Sequence, residues 1–72
     1  MLGTFLKEKR RQVNLTQQEL AVKSGVGLRF IRDLEQGKSS LRMDKVNQVL
    51  MMFGYELGPV LMDRKMLTHE ES

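Results

Sequence analysis

The chain has 72 residues, no cysteine or tryptophan and one proline, and its 12 basic against 9 acidic side chains give a net charge of +3 and a pI near 9.6. Domains below roughly 70–80 residues seldom draw more than about 3–5 kcal/mol from their own core. With no disulfide, no cysteine-based zinc finger and a lone His69 unable to build a metal site, oligomerisation is the remaining source of stability, so a dimer is expected.

The order of Met1 to Leu6 followed by Lys7-Glu8-Lys9-Arg10-Arg11 reverses that of a signal peptide, and the longest apolar run, Val49 to Phe53, is far short of the ~20 residues of a membrane span. A cytoplasmic address is therefore expected. The first segment itself reads as a helix, with Leu2, Phe5, Leu6, Lys9 and Val13 on one stripe at about 3.6-residue spacing, broken by Asn14. Thr16-Gln17-Gln18-Glu19 is a capping box, with Leu15 and Leu20 at the spacing of a hydrophobic staple. It starts a second helix, about Gln17 to Lys23, that Ser24-Gly25 ends.

Only Val26 and Gly27 separate that stop from a third helical pattern, Leu28 to Gln36, in which Ile31 and Leu34 point inward and Gly37 supplies the end. A connection this short forces the two helices to meet at a steep angle. After a polar loop anchored by Leu41, Asp44 is placed to cap a fourth helix that Gly54 ends, with Val46, Val49, Leu50 and Phe53 on one face. Met51 and Met52 fall off that face, where a partner is able to cover them. Tyr55 to Met62 is apolar, contains Gly58 and Pro59 and alternates over its first half, so it reads as a short strand confined to an edge position. One strand in a helical chain finds a partner in its copy from a second subunit. Asp63 to Ser72 reads as a mobile polar tail.

Charge is divided unevenly along these elements. Ten basic and five acidic side chains give residues 1–45 a charge of +5, whereas residues 46–72 carry −2. That division suggests a polyanion-facing front and a different role behind it. A duplex is favoured over single-stranded RNA, because there is little aromatic material for stacking bases. With no cysteine, no second histidine and no glycine-rich phosphate loop, neither catalysis nor a cofactor or metal is expected.

Two short helices joined by a glycine-containing turn form a helix-turn-helix arrangement over residues 16–36. The signature Thr16-Gln17-x-Glu19-Leu20-Ala21, then Gly25, Ile31, Leu34-Glu35 and Gly37-Lys38, resembles the phage-repressor, Cro-like (Xre) family over about residues 3–54. Gly27 to Gly37 together with the exit Phe53-Gly54-Tyr55-Glu56-Leu57 looks most like antitoxins of the high-persistence (HipB-like) type. The resemblance implies an all-α, compact, four- to five-helix lambda-repressor-like DNA-binding domain at 1–54, a dimerisation strand at 55–62 (Tyr55, Leu57, Val60, Leu61) and a flexible tail at 63–72.

In this motif the second helix of the pair enters the major groove, N-terminal end first. Base readout is therefore assigned to Leu28, Arg29, Arg32 and Asp33. Arg29 leads, since a guanidinium pairs in bidentate fashion with guanine. Leu28 touches a thymine methyl or caps the turn, and Arg32 holds phosphate or base. Asp33 accepts from a cytosine amino group or pairs with Arg29 or Arg32. Gly27 lets the backbone come close, and Phe30 packs on a neighbouring subunit or on sugar atoms. Gln17, at the start of the second helix, matches a family position that binds phosphate. Lys38, Ser40 and Arg42 are expected to grip the backbone on the other side. In the resemblance Arg10 and Glu35 match a structural pair tying the first helix to the end of the third.

The function implied is a sequence-specific repressor of double-stranded DNA, dimeric on an inverted-repeat operator, autoregulating an operon and binding a serine/threonine kinase toxin related to HipA. A stand-alone regulator, or a module mainly restraining such a toxin, is the alternative.

Overall fold

A computed structural model describes residues 1–62. Four helices follow in order, α1 (Leu2–Gln12), α2 (Gln17–Ser24), α3 (Leu28–Glu35) and α4 (Met43–Met51), with no strand among the described residues. The class is all-α, and the four helices among the described residues fall within the expected four to five. Among the described residues no helix is long and apolar enough to cross a membrane.

Local chemistry sets most of the boundaries. The Thr16 hydroxyl accepts from the Glu19 backbone N–H at 3.1 Å and the Glu19 carboxylate accepts from the Thr16 N–H at 2.8 Å, so both bonds of the capping box are made. Asn14 takes a φ of 58° and turns the chain out of α1. Beyond α2, α3 and α4 the same ending recurs at Gly25, Gly37 and Gly54, with φ of 79°, 86° and 81°. Each glycine N–H donates to the carbonyl three residues back, and the N–H of the following residue donates to the carbonyl five back: Val26 to Ala21, Lys38 to Asp33 and Tyr55 to Leu50. This paired hydrogen-bond pattern satisfies carbonyls that the helix leaves open, and it needs a left-handed residue at its pivot.

Helix α3 packs against both α1 and α2, and α4 packs against α2. Their shared core is Leu6, Leu20, Ala21, Val26, Ile31, Leu34, Val46, Val49 and Leu50, with Phe5, Leu15, Leu28, Phe30, Leu41, Phe53 and Leu57 partly buried around it. Gly3 is buried where α1 crosses the end of α3: a Cβ there would lie 2.5 Å from the Leu34 carbonyl oxygen and 2.8 Å from that of Glu35. Leu2 and Val13, expected on the apolar stripe, are left exposed, Val13 lying just past the end of α1.

Two further expectations are corrected. Asp44 does not cap α4, because Arg42 occupies the cap position without a side-chain bond and Asp44 already lies in the first turn, where its carboxylate pairs with Arg42. Residues 55–62 form no strand here, and the described residues offer no neighbouring edge to pair with. Instead the segment begins by docking on its own domain. Tyr55 packs edge-on against Phe5, with ring centroids 4.9 Å apart, and the Lys9 ammonium sits 5.5 Å from both rings. The Leu57 N–H donates to Asn47 Oδ1 at 2.7 Å, and its side chain rests on the core. Past Leu57 the described residues are exposed, Val60 at 88% and Leu61 at 100%. The tail at 63–72 lies outside the described residues.

Candidate nucleic-acid interface

Burial of Ile31 and Leu34 fixes the rotation of α3 about its axis. Arg29 and Arg32 are thereby turned to solvent, and neither has a hydrogen-bond or ion-pair partner among the described residues. Leu28 is only half exposed and leans on the core, as does Phe30, which therefore needs no neighbouring subunit to cover it. Gly27 caps the helix at φ −76° and ψ 154°, open to any residue, and a Cβ there would meet nothing within 4 Å. The fold itself does not require glycine at that position.

A shallow groove runs between the start of α2 and the first turn of α3, lined by Arg10, Thr16, Gln17, Gln18, Leu28 and Arg32. The capping box satisfies the Glu19 N–H, while the N–H groups of Gln17 and Gln18 have no partner among the described residues. Two free amide donors at a positive helix end suit a phosphate oxygen. Gln17 is not a free side chain, however. Its Nε2 donates to Glu35 Oε1 at 3.1 Å, leaving one amide hydrogen for an outside acceptor.

Behind the groove, Arg10 Nε and Nη2 donate to the Glu35 carboxylate at 2.7 and 3.1 Å, and Nη1 donates to the Leu15 carbonyl at 2.8 Å. The two side chains are 12% and 4% exposed, so Arg10 is turned inward despite its place in a basic run. Burial pushes the Glu35 carboxyl up, but hydrogen bonds from Arg10 and Gln17 and the charges of Arg10 and Lys7 outweigh it and hold its pKa below the ordinary range. The hydrogen bond to Glu35 raises Arg10 against the opposing effect of burial. One network thus joins α1, the turn before α2, the start of α2 and the end of α3.

The loop after α3 carries further internal partners. Lys38 Nζ stands 3.6 Å from Asp33 Oδ2, so Asp33 pairs with Lys38 rather than with Arg29 or Arg32. Arg42 Nη2 and Nε donate to Asp44 at 2.6 and 3.1 Å, a bond that lowers the Asp44 pKa. Ser40 is exposed between them. The Lys38 partner was detectable in principle, since the glycine ending brings residue 38 back over residue 33. The Gln17–Glu35 bond had no local signal, because 18 positions separate its ends.

Comparison with known proteins agrees with this geometry. Residues 6–60 match the family model described as helix-turn-helix. Over 53 residues the chain is 49% identical to an uncharacterized HTH-type transcriptional regulator, y4mF, of Sinorhizobium fredii, a match spanning 74% of this chain and 70% of that protein.

Proposed function

The chain belongs to the Cro/C1-type (Xre) helix-turn-helix family of DNA-binding transcription regulators, and from that premise we propose that it is a sequence-specific repressor acting as a dimer on an inverted-repeat operator. The observation that carries the reading is the pair Arg29 and Arg32, exposed and unpartnered among the described residues, beside free amides at the start of α2. Helix α3 enters the major groove with Arg29 toward a guanine edge, while the amides of Gln17 and Gln18 hold a phosphate that fixes the docking angle. Gly27, unneeded by the fold, keeps the backbone at the groove wall free of a side chain. Repression follows from occupying a promoter and involves no chemistry. Two half-sites about one helical turn apart match a two-fold dimer, whose interface uses the exposed apolar segment at Val60 and Leu61.

Selection from a randomised duplex pool, followed by mobility shifts, tests the reading. It should recover an inverted repeat bound in a salt-sensitive complex, and Arg29→Ala should lose about 1–3 kcal/mol of discrimination at one base pair of each half-site. Recovery of no sequence preference would sink the proposal.

A second reading is favoured by exposed Met43, Met51, Met52 and Met62, adaptable side chains suited to a partner surface. Here the chain is also the antitoxin of a kinase toxin related to HipA. Co-expression with a kinase encoded beside it should give a complex that survives gel filtration; elution as separate proteins would count against it.

A further inference from the structure

The three glycine endings differ in one respect. After α2 and α4, the residues joined across the stop are apolar at their side chains, Val26 over Ala21 and Tyr55 over Leu50, the usual accompaniment of this motif. After α3 the corresponding pair is charged: Lys38 donates its backbone N–H to the Asp33 carbonyl at 3.0 Å, and its ammonium lies 3.6 Å from the Asp33 carboxylate. The glycine turn therefore places a cation expected to grip DNA beside an anion on the recognition helix. Asp33 is 28% exposed and Lys38 54%, so the pair is within reach of a docked duplex.

We infer that Asp33 is a specificity-determining residue that keeps Lys38 from the phosphates of non-operator DNA. The inference rests on the reading of α3 as the groove-bound helix. Transfer of Lys38 to a phosphate leaves the Asp33 carboxylate alone beside a polyanion. The exchange is balanced only where Asp33 also finds a new donor, and in the major groove that donor is the N4 amino group of cytosine. On an arbitrary sequence the pair stays closed, and Lys38 releases no counterion. On an operator with cytosine in register both partners are replaced together. Leaving Asp33 on Lys38 also keeps the carboxylate off Arg29, four residues back on the same helix, so that guanidinium remains free for a base.

The test uses the full chain, a 30-base-pair duplex of random sequence and a duplex selected by the wild type from a randomised pool. Asp33→Asn is isosteric at a partly exposed site, and its melting curve checks that folding is retained. Affinity for the random duplex should rise roughly two- to fivefold, the range an exposed ion pair carries. Its salt dependence should steepen by about one counterion as Lys38 is freed. Affinity for the selected duplex should not rise. In a Lys38→Ala background, Asp33→Asn should leave the slope on the random duplex unchanged. An unchanged random-duplex slope in the single variant, an equal gain on both duplexes, or a slope increase that persists without Lys38 would each overturn the inference. Failure of the wild type to bind either duplex would instead overturn the groove-binding reading and this inference with it.

Discussion

Glu35, at the end of α3, gathers donors from two other helices, Arg10 of α1 and Gln17 of α2. Removing one member of such a pair leaves the other charged and poorly solvated, which costs about 3–5 kcal/mol, whereas replacing both with apolar side chains is often close to neutral. Arg10→Met should therefore destabilise the chain by that amount in urea unfolding, and the double variant Arg10→Met/Glu35→Met should recover most of the loss. Because the folded-state pKa of Glu35 is depressed, its contribution is fully present above the ordinary carboxylate value of about 4.3 and is lost as pH falls through the folded value. Stability measured from pH 6 downward should fall less steeply in Glu35→Gln than in the wild type; equal slopes would show that the network does not couple to protonation. The glycines separate fold from function at the same scale. Gly3→Ala forces a Cβ to 2.5 Å from a backbone oxygen, and overpacking of this kind costs about 1–3 kcal/mol despite the better helix propensity of alanine. Gly27→Ala meets nothing, so its melting temperature should stay within a few degrees while duplex affinity falls. A Gly27→Ala protein with undiminished affinity would remove the close approach from the docking scheme.

Elements were legible where their ends are written in adjacent residues. The capping box at Thr16 and Glu19 and the glycine stops at 25, 37 and 54 depend on bonds spanning three to five positions, so the sequence reading and the structure agree there. Thr16→Ala should cost about 1 kcal/mol in unfolding, the usual value for a lost N-cap, and a change within error would mean that the box is replaceable by water. Features that depend on distant partners were not legible. Nothing near Gly3 in sequence announces that the end of α3 will lie against it, nor that Leu2 and Val13, on the predicted stripe, stay exposed. Asp44 had the composition of a cap, but the helix begins at Met43 with Arg42 at the cap position, which leaves the carboxylate two residues too far in. At the interface, the inward pair Ile31 and Leu34 was enough to orient Arg29 and Arg32. The reassignment of Asp33 to Lys38, and of the Gln17 amide to Glu35, needed the folded chain.

At the scale of the whole molecule the question is how 62 described residues around nine buried apolar side chains serve a two-fold operator. The segment after α4 divides into two parts with different work. Tyr55 and Leu57 are held by Phe5, Lys9 and Asn47, so they belong to the fold of one chain and brace α1, the helix that carries Arg10. Val60 and Leu61 are 88% and 100% exposed among the described residues and remain for the proposed partner subunit. Ending the chain at Gly54 confounds the two parts, because it removes the brace along with the interface. The double variant Val60→Asp/Leu61→Asp separates them. Substitutions at such exposed sites usually change monomer stability by no more than about 0.5 kcal/mol, yet burying two carboxylates in an apolar interface is strongly unfavourable. The variant should melt like the wild type at high dilution and run as a monomer in light scattering. It should also lose affinity for a two-half-site operator by the factor of about 10²–10⁴ that linking two modules supplies, while binding a single half-site as before. A variant that remains dimeric would move the interface elsewhere on the molecule, with the exposed side chains of Met51 and Met52 the next place to substitute.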